Sequence, residues 1–85
     1  MKMNILNKEN KLFGKKIVDL RLKKGWTQEQ MSAKLQLCGL DISRATLSKI
    51  ELGTRQVYYW EVKYFAKAFD IDYFEFEKVL KINTI

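Results

Sequence analysis

Between Ser43 and Lys49 the chain gathers three hydroxyl side chains, two cations and the small methyl of Ala45. Hydroxyl, ammonium and guanidinium groups donate to phosphate oxygens, and arginine also forks onto O6 and N7 of guanine. Small apolar groups such as Ala45, or the methyl of Thr46, touch thymine methyls. Carried on the outer face of a short helix, this set suits the major groove of B-form DNA, which is wide enough to admit a helix. Arg44 falls in the first turn of that helix, where the macrodipole disfavours a cation by ~0.3–1 kcal/mol. A helix start directed at phosphates or guanine edges accounts for that placement. Ser43 and Ser48 are the candidates for phosphate oxygens, and Arg44, Ala45, Thr46 and Lys49 for base edges.

Other chemistry finds no support in the residues. The chain has no histidine, no cluster with metal-ligand spacing and no glycine-rich phosphate loop. Asp70 with Asp72, and Glu75 with Glu77, read as a helix cap and a solvated face. The expectation is a non-enzyme with no metal, no cofactor and no small-molecule ligand. Cys38 is the single cysteine; it cannot form an internal disulfide and reads as packing in a cytoplasmic chain.

The elements that must position these side chains follow from periodicity. Phe13, Ile17 and Leu20 recur at helical spacing from Lys11 onward, and Gly25, after two lysines, closes that helix. Thr27 with Gln30 three places on is a capping box for a second helix, with Met31 and Leu35 inward. Gln36 to Ile42 reads as a connection, partly apolar and packed down. Ser43 caps a third helix with Leu47 and Ile50 inward, closed by Gly53. A fourth helix, from about Trp60 to Phe69, buries Val62, Phe65, Ala66 and Phe69. An aspartate of Asp70-Ile71-Asp72 caps a fifth near Tyr73, with Phe74 or Phe76, Val79 and Leu80 inward.

The 85 residues leave room for one core, and 47% are apolar, enough to fold. We divide them into a flexible arm, 1–10, a domain, 11–80, and a tail, 81–85. Neither a signal peptide nor a membrane span is visible. Residues 1–60 carry 12 Lys/Arg against 5 Asp/Glu, a charge of +7, and residues 61–85 carry 4 against 5, a charge of −1. A polyanion partner for the first part follows, although a solvated lysine surface gives the same bias.

The pattern Leu20-Arg21, Gly25-Trp26-Thr27-Gln28-Glu29-Gln30, Thr46-Leu47-Ser48-Lys49-Ile50-Glu51 and Gly53 resembles the phage-repressor helix-turn-helix family, of Cro/CI or Xre-like type. The resemblance runs from about Leu12 to Phe76. It implies an all-α, five-helix repressor-like domain whose second and third helices form the DNA-binding unit. It further implies that Gln28 binds a DNA phosphate, that Arg44, Ala45, Thr46 and Lys49 read bases, and that Arg55 is another backbone contact. Arg21 and Glu51 match the family's internal ion pair, and a charge beside inward Ile50 needs a partner in any case.

The chain also departs from the pattern. The family's turn between the two helices is tight, whereas here about five extra residues, around Leu37 to Asp41, lengthen it, which bears on the angle of the third helix. Ser32 replaces a common alanine, Leu52 faces outward where a polar residue is frequent, and Val57 stands where proline is frequent. Tyr58-Tyr59-Trp60 is compatible with core covering, a dimer contact or a hydroxyl on phosphate. The apolar tail residues Val79, Leu80, Ile82 and Ile85 suit a partner subunit. Double-stranded DNA, as a palindromic operator bound by a homodimer, is therefore the expected partner, and transcriptional repression the expected role. The alternative is a protein-interaction module, antitoxin-like or an adaptor, that keeps the fold and exposes Leu52 and the aromatic loop to another protein.

Overall fold

A computed structural model describes residues 7–80. Helix α1 spans Asn7–Lys23, α2 Gln28–Cys38, α3 Arg44–Leu52, α4 Val62–Phe69 and α5 Phe74–Leu80, with a 3-10 turn at Tyr59–Glu61 leading into α4. Helix α1 packs on α3 and α5, and α2 packs on α3 and α4. The core gathers around Phe13, which meets Phe65 edge-on and Phe76 at an inclined angle, both at 5.2 Å between ring centroids. Trp26 closes one corner by stacking on Phe69 at 5.7 Å.

Helix α1 begins before Lys11. Asn7 to Asn10, read from the sequence as the end of a loose arm, are helical, and Glu9 and Asn10 are buried. The Oδ1 atom of Asn10 accepts the Val57 N–H at 3.1 Å, tying the first turns of α1 to the loop beyond α3. Two polar side chains on an inward face gave no apolar signal to pattern reading. Residues 1–6 and the tail residues Ile82 and Ile85 lie outside the described residues, as do the side chains of Val79 and Leu80. Gly25, at φ 72°, ends α1 as expected.

The capping box of α2 is present: Thr27 Oγ1 accepts from the Gln30 N–H at 3.1 Å, and Gln30 Oε1 accepts from the Thr27 N–H at 2.9 Å. The helix then runs on to Cys38, ending only at Gly39 in the left-handed region at φ 111°. The extra length that the sequence places in the connection is therefore shared. Gln36 to Cys38 extend α2, because no breaker precedes Gly39, and Gly39 to Ile42 remain as the turn. Of the apolar residues in this stretch, Leu37 is exposed rather than packed down.

What remains of the connection is fixed to α2. Leu40 and Ile42 are buried, and the Leu40 N–H returns to the Leu35 carbonyl at 2.9 Å. The carbonyl of Ile42 accepts two side-chain donors, Ser32 Oγ at 2.8 Å and Gln36 Nε2 at 3.0 Å. Ser43 then caps α3 by accepting the Thr46 N–H at 3.1 Å. Of Phe74 and Phe76 in α5, Phe76 is buried and Phe74 is exposed. Asp72 is the capping aspartate, its Oδ1 accepting the Phe74 N–H at 3.0 Å.

Candidate nucleic-acid interface

Helix α3 divides cleanly by side. Leu47, Ile50 and Glu51 are buried against the core, whereas Arg44, Ala45, Lys49 and Leu52 are exposed and Ser48 is half-buried. Positions 45, 48, 49 and 52 follow the i, i+3, i+4, i+7 spacing of one helical face. The outer stripe thus carries a methyl, a hydroxyl, an ammonium and an isobutyl group in sequence, with the Arg44 guanidinium at its N-terminal end. At 1.5 Å per residue the stripe runs ~10 Å, about three base steps of 3.4 Å.

Both ends of α3 are held. At the start, Ser43 Oγ accepts the Thr46 N–H and donates to Thr46 Oγ1 at 3.2 Å. Ser43 and Thr46 are thereby occupied with each other, and Thr46 is half-buried beside the stripe rather than on it. At the far end, Gly53 sits at φ 78°. The Lys49 carbonyl accepts from the N–H groups of Thr54 and Arg55 at 3.0 and 3.3 Å, and from Thr54 Oγ1 at 3.3 Å.

Glu51 is the hub beneath the stripe. Its carboxylate accepts Arg21 Nε at 2.7 Å, Arg21 Nη2 at 3.2 Å and Gln28 Nε2 at 2.8 Å. Arg21 Nη1 in turn donates to the Trp26 carbonyl at 2.8 Å, at the corner between α1 and α2. One carboxylate therefore joins α1, the first residue of α2, and α3. Gln28 retains a second amide hydrogen and its carbonyl oxygen for an outside group, with the amide plane set by Glu51. The ammonium groups of Lys24 and Lys34 lie over the Trp26 ring at 5.9 and 5.1 Å, adding positive charge at this corner.

Arg55, expected to contact a phosphate, is paired within the fold. Its Nη1 and Nη2 donate to the two carboxylate oxygens of Glu61 at 2.6 and 3.0 Å, and Nη1 also donates to the Gln56 carbonyl. Glu61 further accepts the Tyr58 N–H at 2.9 Å. This pair orders the loop between α3 and α4, and sequence reading missed Glu61 altogether. A carboxylate three places after the residue that opens a helical turn was the available signal. Arg55→Ala is expected to destabilise the fold by ~1–2 kcal/mol, a figure discounted because the arginine is partly solvated. The slope of log affinity for duplex DNA against log salt should stay at the parent value. A fall in that slope of about 0.9, the signature of one lost phosphate contact, would reassign Arg55 to the backbone.

Among the described residues no group of histidine, cysteine, aspartate or glutamate side chains could hold a metal ion, and no helix is long and apolar enough to cross a membrane.

In comparisons with known proteins, a family model described as helix-turn-helix matches residues 17–57, from the middle of α1 through α2 and α3 to Val57. No curated protein matches the chain. The matched segment holds the capped pair α2–α3, the Arg21–Glu51 pair and the exposed stripe. Residues 17–57 are thus similar to the helix-turn-helix family of Cro/CI type, a family of DNA-binding transcription regulators.

Proposed function

We propose that the protein binds a specific sequence of double-stranded DNA and represses transcription there, on a phage, a mobile element or a bacterial operon. The observation that carries this reading is the outer stripe of α3, exposed yet held at both ends. Arg44, Ala45 and Lys49 read base edges in the major groove. Gln28, aimed by Glu51, and Ser48 anchor phosphates on either side, with Ser43 at the positive end of the α3 dipole. Thr46 supports the cap, and Arg55 the loop that follows. Occupying a promoter is sufficient to repress and needs nothing beyond this interface.

A single α3 covers only a short stretch of groove, and domains of this kind gain site length by two-fold pairing across a palindrome. The proposal is therefore a homodimer on a palindromic operator, in the bacterial cytoplasm and associated with the nucleoid when bound. The ring of Trp60, exposed and packed against Tyr58 and Tyr64, supports self-association.

Selection of bound duplexes from a random pool tests the reading and yields the operator. On that operator, Arg44→Ala is expected to lower discrimination at one base pair by ~1–3 kcal/mol. Gln28→Ala should weaken all sequences about equally. Wild-type affinity retained by both variants would overturn the docking. The competing reading, a protein-interaction module, draws on exposed Leu52, Trp60 and Phe74. It is separated by salt: groove binding weakens steeply as ionic strength rises, whereas an apolar interface hardly responds.

A further inference from the structure

We infer that Leu52 reads the 5-methyl group of a thymine, and so is a further specificity-determining residue. This inference rests on the DNA-binding reading above. Exposed leucines are ordinary on protein surfaces, and Leu12, Leu22 and Leu37 are exposed here too. Leu52 differs from them in its place on the outer face of α3. It is 69% exposed and stands seven positions after Ala45 and three after Lys49, on the face whose other members carry hydrogen-bonding or small groups. It is the last residue of α3, followed by the Gly53 cap and the bonds to the Lys49 carbonyl, so its backbone is already ordered before any partner arrives. Its side chain offers no donor or acceptor, so of the groups that line a major groove it can be satisfied only by an apolar one.

Among base edges in the major groove, that apolar group is the C5-methyl of thymine. The phosphates beside the groove are charged and offer Leu52 nothing. The helix rise places Leu52 about three base steps from the pair met by Ala45. The operator half-site should therefore carry an A·T pair there, with its methyl against the isobutyl group.

The test uses the full chain and the operator selected as above, with each thymine replaced singly by deoxyuridine, which removes only the methyl. Removing one methyl from a dry contact is worth about 0.8 kcal/mol, or roughly fourfold in affinity. At one position, deoxyuridine should weaken the wild-type protein about fourfold and leave the Leu52→Ala variant unchanged. That variant should bind the thymine operator about fourfold or more weaker than wild type. Two results overturn the inference: Leu52→Ala binding as tightly as wild type, or losing the same factor on every thymine and deoxyuridine duplex. The second would move Leu52 to a sugar or a protein partner. Absence of any sequence preference in the wild-type protein would instead remove the sequence-specific DNA-binding reading itself, a distinct outcome of the same titration.

Discussion

Replacing Glu51 with alanine is expected to cost about 3–5 kcal/mol of folding stability, the range for breaking a buried ion pair by removing one member. The side chains of Arg21 and Glu51 are 13% and 5% exposed, so water cannot take the place of the lost carboxylate. Three donor hydrogens, two from Arg21 and one from Gln28, lose their acceptor together. A domain of this size has only ~5–15 kcal/mol in total, so the variant should sit near its unfolding midpoint in dilute urea. Equilibrium denaturation at matched m-value checks it. Glu51→Gln, which keeps an oxygen for one donor but sets an amide N–H against the guanidinium, should fall between the two. A variant as stable as the parent would show that the three elements are held together by apolar packing alone.

Gly14→Ala is expected to destabilise by about 2–3 kcal/mol, or on the order of 10 °C in melting temperature. In an ordinary helix interior this substitution gains about 1 kcal/mol, so the predicted sign is reversed. The reversal comes from the crossing of α1 over the end of α3. A Cβ built on Gly14 would lie 2.5 Å from both the Ile50 and the Glu51 carbonyl oxygens. Both are backbone atoms, with no rotamer to move aside, and the two helices would have to separate. Gly25→Ala is the matched control: nothing lies within 4 Å of its Cβ, and only the strain of φ +72° opposes it. Thermal melts of the two variants side by side should rank Gly14→Ala well below Gly25→Ala. An equal effect would mean that α1 and α3 can slide apart freely.

Local rules carried much of the fold. Thr27, Gln30, Ser43, Gly25 and Gly53 mark helix ends through hydrogen bonds made within a few residues, and the apolar stripes of α3 and α4 repeat at helical spacing. These signals need no knowledge of distant contacts. The end of α2 was hidden because Leu37 mimics a packing residue while facing water, and nothing but Gly39 stops the helix. The early start of α1 was hidden because its inward residues, Glu9 and Asn10, are polar. At the interface, the spacing of residues 44 to 49 identified the outer stripe. The separation of Thr46 from that stripe depends on a side-chain bond to Ser43. The partnership of Arg55 with Glu61 depends on how the following turn folds back. Neither is written in residue type. Leu52 was legible as an outward leucine, but its shared face with Ala45 and Lys49 acquires meaning only once α3 is known to persist through that residue.

The doubly bonded carbonyl of Ile42 has a consequence for how this protein could change over evolutionary time. Ser32 and Gln36 grip that oxygen from α2, and α3 is set through this connection and through its inward residues Leu47, Ile50 and Glu51. Exchanges at Arg44, Ala45, Lys49 or Leu52 can then accumulate without retuning the scaffold. Under the DNA-binding proposal, a lineage built on this frame would acquire new targets through a handful of surface substitutions while its interior stays as it is.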